Sequence, residues 1–251
     1  QRILADYPEE TRDGNAFIVA PWSRESVDAA SYKVLKSVLP AEKGISASQS
    51  RPVKTPDAMA FALLEKTGKD VRLLDATTQA KLVAKVMQEH VDHVNGSDYR
   101  ECPICFKLKQ YLDLGERTGD DTHERFKKVF LAPAFITKLR ETFARFSELG
   151  IDINENMEDY VALLPPMEGI RKERARLSWE IVQGLRREYA DKVKTEYPNF
   201  YDNSYMLIES RKLIETISKD DLPRFIVVDD CQDLNLATFY LLEELHSKGI
   251  P

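Results

Sequence analysis

Apolar residues along this chain fall into two patterns. Near both ends they form short unbroken runs, "AFIVAP" at 16–21 and "FIVV" at 225–228. Between those runs they recur three and four residues apart over long stretches. An unbroken apolar run bounded by turn residues predicts a strand covered on both faces, as in a parallel sheet. The spaced pattern predicts helices with one buried stripe.

Punctuation residues sharpen the boundaries. Ser23 is placed to cap a helix in which Val27, Ala30, Val34, Leu35 and Val38 recur at helical spacing, and Pro40 ends it. The stretch "VKTPDAMAFALLEKTG" restarts with Thr55 as N-cap, Pro56 at the first helical position and Gly68 at the end. From about residue 75 to 220 the pattern is helical with no strand. It runs through "TTQAKLVAKVMQEHVDHV", "FKLKQYLDL", "PAFITKLRETFARFSELG", "MEDYVALL", "RKERARLSWEIVQGLRREYADKVK" and "NSYMLIESRKLIETIS". A last helix, "LATFYLLEELHSKG", stops at Gly249. The layout predicts an α/β chain: residues 1–74 and 206–251 share a parallel sheet, and 75–205 form a helical insertion. The two unbroken runs should be neighbours or near-neighbours in that sheet.

Composition narrows the classes. The chain has 251 residues, 43% hydrophobic and 31% charged, which suits a folded domain with a real core. No apolar run approaches bilayer length, so no membrane is expected as a partner. No secretory signal is visible, and three cysteines argue against a disulfide framework, so a cytoplasmic location is expected. A net charge of −6 gives no general basic coat, but it leaves room for a local basic channel.

The candidate chemistry concentrates where the second run ends, in "FIVVDDCQDLN". Ligands of parallel sheets bind beyond the carboxyl ends of the strands, where Asp229 and Asp230 fall. Two adjacent carboxylates repel each other unless a cation compensates, and Mg²⁺ with its hard oxygen ligands and retained waters would do so. The plainer alternative is that the two aspartates cap the next helix. Gln232 and Asp233 tilt the choice toward the metal.

"VVDDCQDLN" resembles motif II, normally DE-x-QD-x-N, of superfamily 1 DNA helicases of the UvrD/Rep type. "FIVAPWSRESVDAASYKVL" looks like their motif Ia, "PVKTPDAMAFALL" like motif Ib, and "FYDNSYMLIESRKLI" like the helix that returns to the motor. The wording is similar to that of AdnA-type helicase-nuclease subunits, which also carry a second Asp. The likeness covers both ends; the middle agrees in helical character more than in words. It implies a partial RecA-like motor domain interrupted by a large all-helical insertion subdomain. It also implies ATP and Mg²⁺ as cofactors. Asp229 would hold Mg²⁺, Asp230 would activate the attacking water, Gln232 would sense the γ-phosphate region, and Asp233 would be a coupling or structural acid. Asp230 is one methylene shorter than the usual Glu. Ala20, Pro21, Trp22 and Ser23 match the turn that touches single-stranded DNA, where Trp22 would either stack on a base or pack the sheet edge. Thr55 and Asp57 match a backbone contact to DNA; an ordinary N-cap with a first-turn acid explains them equally well. Single-stranded or duplex-junction DNA and a second helicase-nuclease subunit are the implied partners.

A phosphate cradle of the form G-x-x-x-x-G-K-[ST] is absent; "TGKD" at 67–70 ends in Asp and has Leu63 where the first glycine belongs. "QRILADY" resembles the tail of the helix after that loop, so the chain is expected to be a helicase fragment that does not hydrolyse ATP efficiently by itself. Two other classes compete: a non-catalytic DNA-binding or subunit-interaction module, and a phosphohydrolase of another P-loop type.

Two further features need a reading. His90 and His93, then Cys102 and Cys105, make a possible zinc set. Against it stand a single C-x-x-C and the unusual order of histidines before cysteines. A plain surface turn with a helix start at Pro103 is favoured over zinc, and a redox pair ranks last. Cys231 reads as a small buried filler. The basic residues Arg171 to Arg176, with Arg186 and Arg187, read as a solvated helix face laced with Glu173 and Glu180, ahead of a phosphate-binding face.

Overall fold

The computed structural model describes residues 16–21, 24–38, 52–68, 70–95, 100–113, 128–155, 157–158 and 166–251. It is a mixed α/β chain, mostly helical, with a small parallel sheet. The chain divides into two compact units. One comprises Gln1–Val71, Ser147–Gly150 and Asn203–Pro251, the other Arg72–Phe146 and Ile151–Asp202.

In the first unit the sheet consists of β1 (Ala16–Val19), β2 (Val53–Lys54) and β5 (Phe225–Val228), in the order β2-β1-β5. All pairs are parallel: Ile18 faces Val53, and Ala16 to Val19 face Phe225 to Val228 in register. The two unbroken apolar runs are therefore direct neighbours, the closer of the two arrangements expected. β1 is central and its Ala16 and Val19 are fully buried. β5 differs from the expectation of a strand covered on both faces. It lies at the edge of the three strands; Phe225 to Val227 are half-buried and Val228 is exposed.

Helix α1 (Arg24–Val38) follows β1, and its buried Ser31 hydroxyl fixes β2. It donates to the Val53 carbonyl at 3.1 Å and accepts from the Val53 N–H at 3.2 Å. Helix α2 (Pro56–Glu65) starts on Thr55, whose Oγ1 accepts from Ala58 N at 3.2 Å. The final helix α8 (Leu236–Ser247) starts on Asn235 in the same way.

The second unit begins with β3 (Arg72–Leu73) paired in parallel with β4 (Phe200–Tyr201). β4 falls inside the stretch expected to lack strands. Two residues are too short to show a period-two alternation. Between these strands lie α3 (Ala76–Asn95), α4 (Pro103–Asp113), α5 (Pro133–Glu148) and α6 (Gly169–Glu196). Their apolar stripes, among them Val83, Val86, Met87, Leu108, Phe143, Leu177 and Leu185, form one core. Helix α6 is its spine. Gln183 and Arg186 of α6 hold the segment after α5: Gln183 Nε2 donates to the Asp152 carbonyl (2.9 Å) and Arg186 Nη1 to the Ile151 carbonyl (2.8 Å). Helix α7 (Asn203–Leu213) then returns the chain to the first unit. Among the described residues no helix is long and apolar enough to cross a membrane.

Candidate functional site

The acidic end of β5 comes first. Asp229 N–H donates to the Val19 carbonyl at 2.9 Å, which carries the ladder one residue past the strand. Ala20 N–H donates to the Lys54 carbonyl at 3.0 Å on the other side of β1. The start of the motif Ia-like turn and the acids thus share the carboxyl edge of one sheet. The backbone then turns sharply. Asp230 is left-handed, with φ 49° and ψ 45°, a conformation Asp tolerates better than most residues. Asp229 Oδ1 accepts from Asp230 N–H at 3.0 Å. Residues Cys231–Asp233 make a single 3₁₀ turn. Gln232 Nε2 makes long contacts to Asp230 Oδ1 (3.5 Å) and Asp233 Oδ2 (3.4 Å).

Capping does not account for these aspartates. The next helix is capped by Asn235, whose Oδ1 accepts from Thr238 N–H (2.8 Å) and from the buried Thr238 hydroxyl (2.7 Å). Asp230 makes no side-chain cap bond to the turn it begins. Asp229 is exposed, as are Gln232 and Asp233. Hard carboxylate oxygens presented to water suit Mg²⁺, which keeps several of its waters. Cys231 is exposed, which corrects its reading as a buried filler; the 3₁₀ turn carries it off the strand.

The positions that resemble motifs Ia and Ib are described in part. Ala20 is fully buried and Pro21 half-buried, while Trp22 and Ser23 lie outside the described residues. Thr55 serves as N-cap of α2, and Asp57 is in the first turn of that helix. Sequence reasoning passed over Lys54. Its ammonium lies 4.7 Å from the Phe17 ring centroid. Burial, and then the positive charge of Lys66, pull its pKa down against the opposing Glu65.

The basic face of α6 splits. Arg176 is held by Glu173 and Glu180, and Lys107 reaches Glu180 at 2.8 Å, as expected for a laced helix face. Arg186 departs from that expectation. It is buried, bonded to the Ile151 carbonyl and 5.9 Å from the Phe146 ring, so it serves the core and faces neither solvent nor phosphate.

The second site is in the helical unit. The last turns of α3 carry His90 and His93; Cys102 sits immediately before α4 and Cys105 in its first turn. One ligand atom from each of the four lies within 4.8 Å of the others. Both thiol sulfurs are 3.4 Å from the same nitrogen, His90 Nδ1. His90 and Cys105 are buried, Cys102 is half-buried and His93 is exposed. Burial of His90 and Cys105 corrects the reading of this stretch as a plain surface turn. Glu188 of α6 reaches His90 Nε2 at 2.7 Å. Its carboxylate accepts, so Nε2 carries a proton and Nδ1 is left to face the sulfurs. Burial lowers the His90 pKa, but the hydrogen bond and charge of Glu188, together with those of Cys102, outweigh it and hold the pKa above the ordinary value. Burial raises the Cys102 thiol, yet the Cys105 N–H, the Cys105 side chain and the neighbouring imidazoles bring it down to about 7. Burial and then Cys102 push Cys105 the other way. Sequence reasoning missed Glu188, because nothing along the chain links it to a histidine 98 positions away.

Comparison with protein-family models and with curated proteins returns no match.

Proposed function

We propose that this chain is part of the motor of an ATP-dependent DNA translocase of the superfamily 1 helicase type, acting on single-stranded or duplex-junction DNA in recombination or repair, with 3′-to-5′ polarity. In this reading the β2-β1-β5 sheet belongs to a RecA-like domain, and residues 75–205 are its helical insertion. The observation that carries it is the pair Asp229–Asp230 at the carboxyl end of a parallel strand, beside the end of β1, with helix capping left to Asn235.

Bound ATP with Mg²⁺ would supply the phosphoryl chemistry. Asp229, exposed at the strand end, would hold the magnesium shell. Asp230 would orient the water and take its proton. Gln232, touching both Asp230 and Asp233, would pass their position to the DNA-binding loops. Pro21, Trp22 and Ser23, with Thr55 and Asp57, would meet the strand. Since G-x-x-x-x-G-K-[ST] does not occur in these residues, hydrolysis is proposed for the whole protein and not for this chain alone. A second helicase-nuclease subunit is the proposed protein partner, and a cytoplasmic location follows from the same reading.

The test uses protein expressed from the whole reading frame. DNA-stimulated phosphate release should fall by about 10²–10⁴-fold in Asp230→Asn, the range of general-base loss. DNA retention without any ATP turnover, unchanged by that variant, would instead make the chain a non-catalytic DNA-binding or assembly module.

A further inference from the structure

We propose that His90, His93, Cys102 and Cys105 hold one resident structural Zn²⁺ that staples the end of α3 to the start of α4, with Glu188 of α6 as the carboxylate that orients His90. This inference stands apart from the motor reading. It rests on geometry in the helical unit alone.

A tetrahedral zinc bonded to sulfur and imidazole nitrogen at about 2.3 and 2.0–2.1 Å places those two ligands about 3.5 Å apart. Both cysteine sulfurs stand 3.4 Å from His90 Nδ1, and His93 completes a set within 4.8 Å. Hydrogen bonding alone accounts for this poorly, because one imidazole nitrogen has one lone pair or one proton to share between two thiols. A single cation between them satisfies all four groups. Glu188 on His90 Nε2 forms the carboxylate–histidine arrangement that fixes tautomer and ring orientation in metal sites. Two imidazoles and two thiolates in a tetrahedron select zinc over the harder divalent ions.

The local fold prepares the site. Cys105 N–H points at Cys102 Sγ, 3.5 Å away, as the first turn of α4 requires. Ile104, between the cysteines, is buried in the same core as Val91 and Leu108, and Cys102 packs against that core. On binding, each thiol gives its proton to solvent and both imidazoles ligate in the neutral form. No position is left open for substrate, so the role is structural.

The 251-residue chain is purified without chelator under reducing conditions, and its metal is measured per monomer. One equivalent of zinc is expected. Replacement by Co²⁺ should give the intense visible bands of a tetrahedral site and a sulfur-to-cobalt charge-transfer band. Cys102→Ser with Cys105→Ser should lose both the metal and that band. Those cysteines are partly core, so two further variants separate ligation from folding. His93→Ala alters only an exposed side chain and should weaken zinc retention against a chromophoric chelator. Glu188→Gln should weaken it by about 10–100-fold, as loss of a carboxylate behind a ligating histidine does. If the reduced, folded chain takes up far less than one equivalent when zinc is added, the proposal is wrong. It is equally wrong if zinc binds but His93→Ala and Glu188→Gln hold it as tightly as the parent.

Discussion

Gly184 of α6 lies under Ile104, the residue between Cys102 and Cys105: a methyl group at position 184 would come within 2.8 Å of Ile104 Cδ1 and 2.9 Å of Cγ1. The missing side chain lets α4 rest directly on α6. One turn further along α6, Glu188 reaches His90. Gly184→Ala should therefore destabilise the helical unit. Overpacking costs about 1–3 kcal/mol, and only about 1 kcal/mol returns from better helix propensity. Urea unfolding should show a lower midpoint with an unchanged slope. Adding Ile104→Ala should cost less in the Gly184→Ala background than in the parent, because the crowded atoms are then gone.

Asn235 both caps α8 and satisfies the buried Thr238 hydroxyl. Asn235→Ala should cost about 1 kcal/mol for the cap and about 1–3 kcal/mol for the stranded hydroxyl. Asn235→Asp, which keeps the acceptor, should restore most of it. Thermal unfolding of the three proteins side by side decides the matter.

Lys54 carries a charge in a place that penalises it, chiefly through burial. Its folded-state pKa lies below the unfolded value of 10.5, so the penalty is present in full below the folded pKa. The penalty disappears as pH rises through the interval between the two values. Lys54→Met should be more stable than the parent at neutral pH, and the gap should close as pH climbs toward and past 10.5. A stability difference independent of pH would contradict this.

Parts of this architecture were legible in the residues. The unbroken runs at Ala16–Val19 and Phe225–Val228 announced strands of one parallel sheet, and the fold makes them direct neighbours. Thr55 and Pro56 announced α2, and the three-and-four spacing of Leu82, Val86 and Leu177, Ile181 announced buried helix faces. The short β3–β4 pair was illegible because two-residue strands have no period. Asn235 was legible after the fact, since an Asn three residues before a buried Thr at a helix start is a capping pattern. The His–Cys cluster was half legible: its spacing was visible, but its closure depends on how α3 and α4 pack on α6. Glu188 and the burial of Arg186 follow from the same packing and have no local signal.

The left-handed backbone at Asp230 also restricts what evolution can place there. Short side chains that bond to their own backbone tolerate this conformation, and longer ones gain no such compensation. A Glu at 230 would reach one methylene further from an unfavourable conformation. The shape of the turn and the length of the acid are therefore linked. Asn tolerates the same left-handed backbone, so Asp230→Asn should remove the carboxylate while leaving the turn in place.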